Sequence, residues 1–241
     1  MASVLDLAQA LRATPLGVLA RGTARAPLEA QAGRLIAALP RVELVELTGP
    51  LTFEATLAVA DSRHAWSLGA AEQLVLQALI KGRGVRTVFE IGTFNGGTTR
   101  VIAEALPEEG RVVTLDLPVA AFDATQSPKD FTGAQVGRAY NGSPAEHKIT
   151  QIDADSLTFD VSPYRGQFDL VLVDGGHEYR HGVADTRTAL ALAAPGGVVL
   201  WDDFQPYWHG LVRGICQAMQ GRTLGQMAGT ALGVHVAPAG A

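Results

Sequence analysis

The chain is short of the features that would place it quickly in several functional classes. Cys216 is its only cysteine, so neither an internal disulfide framework nor a thiolate metal site within one chain is open to it. Lys and Arg number 19 against 24 Asp and Glu, a net charge of -5, which argues against a surface built for sustained phosphate-backbone binding. Aromatic residues make up only 6%, and no stretch interleaves them with basic residues as a nucleic-acid surface does. No apolar run approaches the roughly 20 residues needed to cross a bilayer. The opening residues, Met-Ala-Ser-Val-Leu-Asp, lack the basic stretch and apolar block of a secretory signal. These absences predict a soluble cytoplasmic protein with neither a nucleic-acid nor a membrane partner.

What is present is glycine, 27 of 241 residues, and a chain 47% hydrophobic with ample material for a core. That length suits one large domain with an arm. Residues 1–60 are expected to form a helical arm or cap. Leu5, Leu7, Leu11 and then Leu28, Leu35 and Ile36 fit short amphipathic helices, punctuated by Pro15, Pro27, Pro40 and Pro50. Its apolar positions could also pack against a second copy of the chain. Residues 61–241 are expected to form the α/β domain. A helix is predicted over Leu68 to Ile80, closed by Lys81-Gly82-Arg83-Gly84.

Strands and helices then alternate. Strands are predicted at Val85 to Ile91, Arg111 to Leu115, Lys148 to Ile152, Phe168 to Val173 and Gly197 to Trp201, with a closing hairpin near Thr223 to Met227 and Ala231 to Val236. Helices are predicted at Thr98 to Leu106, Arg180 to Ala193 and Leu211 to Gln220. Leu170-Val171-Leu172-Val173 is apolar at every position, as befits a strand covered on both faces. Alternation of this kind implies a doubly wound, mostly parallel sheet. Pro118 to His147 breaks the pattern, being long and rich in Gly, Pro, Asp and Ser, and such a loop is usually functional or mobile.

The most informative stretch is Val85 to Thr98, an apolar strand ending in an acid, Glu90, then a glycine turn, then a helix. That order brings a backbone close to a nucleotide-like ligand. Gly92 and Gly96 fit positions where a side chain would block a ligand or the helix. Thr98 can offer its hydroxyl beside the free N–H groups of the helix start, and Glu90 can accept from an ammonium or a hydroxyl. The spacing Glu-x-Gly-x-x-x-Gly-x-Thr is not that of nicotinamide enzymes or of a Lys-bearing phosphate loop, which disfavours NAD and ATP. Asp116 ends the next strand about 20 residues on, where doubly wound folds grip a ribose; a solvated strand-end acid is the competing reading. Asp155 and Ser156 can meet an adenine edge or form an ordinary turn.

Asp174 and Asp202-Asp203 follow two successive strands of the series. Parallel neighbours deliver their C-terminal ends to one rim, so these acids are expected to converge if the strands are adjacent. Carboxylates so placed repel one another, and a hard divalent cation such as Mg²⁺ would relieve that. One or two of them capping loops is the plainer alternative. His177, on the loop after Asp174, carries an imidazole, the side chain best suited to take a proton from a hydroxyl; a structural or metal-ligating role competes. His235 lies in a strand pattern and is read as structural.

Glu90 to Thr98, Asp116, Asp155-Ser156, Phe168 to Tyr179 and Pro195-Gly196-Gly197…Trp201-Asp202-Asp203 together resemble class I S-adenosylmethionine-dependent methyltransferases. The nearer resemblance is to the branch of small-molecule O-methyltransferases of the catechol and macrolide-sugar types, over about Leu68 to Val236. It implies a Rossmann-like methyltransferase domain with a seven-stranded sheet in the order 3-2-1-4-5-7-6, the last strand antiparallel. It implies that Glu90, Gly92, Thr93, Gly96 and Thr98 form the turn that holds the methionine end. Asp116 would then hold the ribose, and Asp155 or Ser156 the adenine. It further implies Asp174, Asp202 and Asp203 as Mg²⁺ ligands. Catechol-type members place a lysine base where this chain has His177, and the sugar-modifying members are similar to it in using histidine. The expected acceptor is a hydroxyl of a phenol, a sugar or another natural product. Arg138, Tyr140 and Trp66 are expected to line its pocket. A metal-independent enzyme of the same fold, a nucleotide-binding protein without catalysis and a nicotinamide oxidoreductase are the rivals.

Overall fold

The computed structural model describes residues 15–55, 68–121 and 135–240, with side chains from residue 25 onward. Eight strands form one sheet: β1 (Arg41–Val42), β2 (Thr87–Ile91), β3 (Arg111–Asp116), β4 (Ile149–Asp153), β5 (Phe168–Val173), β6 (Ala193–Trp201), β7 (Gly225–Met227) and β8 (Gly233–Val236), in the order β1-β7-β8-β6-β5-β2-β3-β4. Read from β4 to β7 this is the expected seven-strand order. β8 is the reversed strand, antiparallel to β6 and β7. β1 makes the count eight instead of seven. It pairs parallel to β7, through Gln226 N–H donating to the Pro40 carbonyl and Ala228 N–H to that of Val42, each at 3.0 Å. Two residues carry no periodicity, so no sequence pattern marks this strand.

The apolar strands split their side chains between two cores, as period 2 requires. Phe89, Ile91, Val171, Val173, Val199 and Trp201 face one core. There they meet α5 (Tyr179–Leu192) and α6 (His209–Ala218) through Ala189, Leu192, Leu211, Val212 and Ile215. Val88, Leu170, Leu172, Val198 and Leu200 face the other. They meet α3 (Ala70–Arg83) and α4 (Gly97–Ala105) through Leu76, Leu79, Ile80, Ile102 and Ala103. Gly84 closes α3 in the left-handed region at φ 64°, which costs glycine nothing.

The N-terminal region differs from the expected short helices. One helix, α1 (Pro15–Ala37), runs through Pro27. Its C-terminal half is docked, with Ala32 and Ile36 in the first core, and tertiary packing of that kind outweighs one lost backbone hydrogen bond. A short helix, α2 (Leu44–Thr48), follows β1 and packs on α3 through Leu44 and Leu47. Leu5, Leu7, Leu11, Trp66 and residues 122–134 of the long loop lie outside the described residues.

Candidate active site

The parallel register brings the chemistry to one rim. Ile91 pairs with both Leu115 and Val173, Val173 with Trp201, and Asp116 with Asp153. The next residues, Gly92, Asp174 and Asp202, continue the ladder through N–H bonds of 2.8–2.9 Å to Leu115, Ile91 and Val173. A cavity of about 440 Å³ opens there. Its walls are the glycine turn (Gly92, Phe94), Asp116 and Leu117, Asp155 and Ser156, the loop from Asp174 to His177, and His181, Asp203 and Trp208.

Gly92 has φ +101°, and a Cβ there would lie 2.0 Å from the Asp174 carbonyl oxygen. No other residue fits between these strand ends. Gly96, at φ +80°, is fixed by a neighbour: its Cβ would meet the Tyr140 ring at 2.6 Å. Tyr140 is therefore no acceptor-pocket residue. It packs across Gly96 and Gly137, its hydroxyl donating to Gln151 at 2.9 Å. The segment carrying it is laced to the turn by Gly137 and Ala139 N–H bonds to Phe94 and Asn95 carbonyls.

Glu90 lies fully buried behind the turn. Its Oε2 accepts from the hydroxyls of Thr99 and Thr114, while Oε1 is buried with no partner. Burial pushes the carboxyl up to about 7, against the pull of those two hydroxyls. Thr99, one residue beyond the expected Thr98, is thus the threonine that orients this acid; Thr98 is buried in the first turn of α4. The Thr93 hydroxyl meets that of Thr114 at 2.7 Å. Asp116 spends Oδ2 on the N–H groups of Thr93 and Phe94 (3.1 and 2.7 Å) and Oδ1 on that of Leu117 (2.7 Å). It fixes the turn as well as facing the cavity. Burial raises it nonetheless, over those three backbone donors.

Also on the cavity wall, Asp155 accepts from Leu157 N–H at 2.9 Å. Behind Ser156 and Gly175 sits Asp185, 1% exposed, with neither carboxylate oxygen in hydrogen-bonding geometry with a partner. Burial lifts it to about 6, the nearby Ser156 hydroxyl opposing the shift. Asp185 is the one acid on α5, and no motif spacing in the sequence ties it to the cavity.

Asp174, Asp202 and Asp203 each bring one oxygen within 4.8 Å of the others. At an effective dielectric of about 20, two like charges about 5 Å apart cost roughly 3 kcal/mol. Burial, and then Asp202 and Asp203, drive Asp174 well above the ordinary carboxyl range; burial and Asp203 lift Asp202 to about 7. This crowding favours a proton or a cation on Asp174 and Asp202. Asp203 is the exception. Burial would raise it, but hydrogen bonding and charge from His177 outweigh that, aided by Gln205 and Trp208, and hold it low. His177 Nε2 is 2.7 Å from its Oδ2. Asp203 makes this contact from the left-handed region, φ +54°, which Asp tolerates better than most residues. The His177 ring stacks on Trp208 at 4.1 Å between centroids and 19° between planes. Trp208 carries no spacing signal in the sequence, because it reaches His177 only through the fold. His235, in β8, bonds Thr223 and is structural.

Comparison with known proteins points the same way. A sequence profile described as a methyltransferase domain matches residues 89–204. Caffeoyl-CoA O-methyltransferase 2 of Zea mays is 26% identical over 154 residues, 63% of this chain and 54% of its own length. Tapetum-specific methyltransferase 1 of Arabidopsis thaliana is 26% identical over 160 residues, 65% of this chain and 62% of its own. The chain thus spans little more than half of the curated relatives it matches. The structure of the O-methyltransferase TomG from Streptomyces achromogenes, in complex with S-adenosylmethionine, superposes with a TM-score of 0.55 at 22% identity, over 73% of this chain and 82% of that one; at that identity the likeness speaks for the fold. With the sheet order, the glycine turn beside Glu90 and the acids at one rim, residues 89–204 match a methyltransferase domain, and the chain is similar to O-methyltransferases of the caffeoyl-CoA type.

Proposed function

We propose that this protein moves a methyl group from S-adenosylmethionine to a hydroxyl of a small molecule, with His177 as the base. The observation that carries the reading is the meeting of His177 with Asp174 and Asp203 on the wall of the cavity beside Gly92, with Asp202 clustered next to them. The unpartnered Oε1 of Glu90 suits the donor's ammonium, since a buried acceptor without a donor is costly. Oδ1 of Asp116, which accepts from Leu117 N–H alone, keeps a lone pair for a ribose hydroxyl. Asp155, Ser156 and His181 would frame the adenine.

A neutral His177 that donates Nε2–H to Asp203 leaves its lone pair on Nδ1. That nitrogen takes the acceptor's hydroxyl proton. The oxygen attacks the sulfonium methyl in line, the C–O bond forming as the S–C bond breaks, and S-adenosylhomocysteine leaves. Holding both reactants in one cavity supplies much of the acceleration.

An all-carboxylate donor set, two of whose members, Asp174 and Asp202, have raised proton affinity, fits a hard divalent cation. Asp174, Asp202 and Asp203 would hold Mg²⁺, which when bound lowers the pKa of an acceptor hydroxyl. A metal-independent version is favoured by one observation, the commitment of Asp203 to His177. Incubation with labelled S-adenosylmethionine and a panel of catechols, phenols and glycosides, with and without chelator, tests both. Label transfer to a hydroxyl that stops on chelation is the expected result. Transfer that survives chelation removes the metal, and binding of neither donor nor product removes the reading.

A further inference from the structure

The residues after Asp203 form a brace reaching from the N-terminal helix to the base. α1 lies so close to the segment Pro206–Trp208 that a Cβ on Gly33 would sit 3.6 Å from the Pro206 ring. The Arg25 guanidinium lies 3.9 Å from the Tyr207 ring centroid and donates to the Tyr207 carbonyl at 3.1 Å. Tyr207 meets Trp208 edge-on, ring centroids 4.7 Å apart at 85°. Trp208 in turn covers the face of His177, whose Nε2 contacts the Asp203 carboxylate. His177 is thus held at two places, by a ring on its face and a carboxylate at Nε2. Both arrive from the same turn, 203–208. An imidazole bonded at one nitrogen alone can still swing about that bond, and a stacked indole removes this freedom at small entropic cost.

We propose that Trp208 is a positioning residue, whose indole, backed by the N-terminal helix, locks the His177 ring into one plane and one tautomer. The proposal rests on the methyl-transfer reading only for the use to which the locked ring is put. It gives the N-terminal helix a part in shaping the site, reached through Arg25, Tyr207 and the Gly33–Pro206 contact.

The test needs no acceptor. Histidine-labelled protein is observed by long-range proton–nitrogen NMR at roughly pH 8.5, above the ordinary titration range of imidazole, with His177→Gln identifying the His177 signals. The wild type is expected to show one neutral tautomer, protonated at Nε2. Trp208→Leu keeps apolar bulk without a stacking face and is expected to give shifts averaged between tautomers. Trp208→Phe keeps a stacking face and is expected to restore the single tautomer. A single Nε2–H tautomer surviving in Trp208→Leu overturns the proposal, as does averaging in Trp208→Phe equal to that in Trp208→Leu. Failure of the wild type to bind S-adenosylhomocysteine overturns the methyl-transfer reading instead, while the His177 spectrum still decides the role of Trp208.

Discussion

At the residue scale, the site is built from acids whose surroundings set different proton affinities. Glu90 is raised from 4.5 to about 7 by burial. Its protonated form is therefore favoured by folding: that contribution is full below pH 4.5, and is lost as pH rises through about 7. Glu90→Gln should flatten the fall in stability between about pH 5 and about pH 8, a difference on the order of 3 kcal/mol by denaturant titration. An unchanged pH profile would place the titrating group elsewhere. Asp174→Ala removes a group from the cavity wall beside His177 but none from the Glu90 turn. Turnover is expected to fall by about a thousandfold or more, with S-adenosylhomocysteine affinity within about threefold by calorimetry. Equal losses in both would make Asp174 a folding residue. Glu90, Asp116, Asp174, His177 and the Asp202-Asp203 pair were legible in the sequence because each ends a strand or opens the loop behind one, where register alone dictates convergence. Thr99, Thr114, Asp185 and Trp208 were not, because their contacts depend on which helix covers which strand and how closely. The same limit misplaced Tyr140, whose neighbours Gly96 and Gly137 are distant in sequence or unreadable as its partners.

At the element scale, α5 and α6 cross with almost no separation. A Cβ on Gly182 would lie 2.6 Å from the Leu211 carbonyl oxygen, and one on Gly214 2.5 Å from that of Tyr179. α5 begins two residues after His177, and α6 begins immediately after Trp208. The tight crossing thus sets the spacing of the stacked pair. Gly182→Ala should destabilise the fold by on the order of 2 kcal/mol, because backbone cannot yield as a side-chain tip can. It should also weaken the His177–Trp208 stack, read by quenching of tryptophan fluorescence. A variant as stable as the wild type would show that the helices separate freely. Element positions were well marked in the sequence, since apolar runs and glycine stops recur along it. The two exceptions are β1, too short to carry a period, and α1, where Pro27 signals a break that docking of Ala32 and Ile36 overrides.

At the scale of the whole molecule, the sheet is a frame that gathers distant carboxylates and leaves their repulsion to be relieved by whatever binds. A ligand that binds only the folded form stabilises it by mass action, about 2.7 kcal/mol at a hundred times its dissociation constant. Mg²⁺ and S-adenosylhomocysteine should each raise the melting temperature, and Asp174→Ala should abolish only the Mg²⁺ effect. A Mg²⁺ shift retained in that variant would locate the cation elsewhere. The most direct measurement is a crystal structure of the protein with S-adenosylhomocysteine and Mn²⁺, the ion located by its anomalous scattering. The account expects the nucleoside between Asp116 and Ser156, the amino group at Oε1 of Glu90, and a manganese peak among Asp174, Asp202 and Asp203. S-adenosylhomocysteine bound away from the Gly92 cavity, or a protein that takes up neither ligand there, would contradict it.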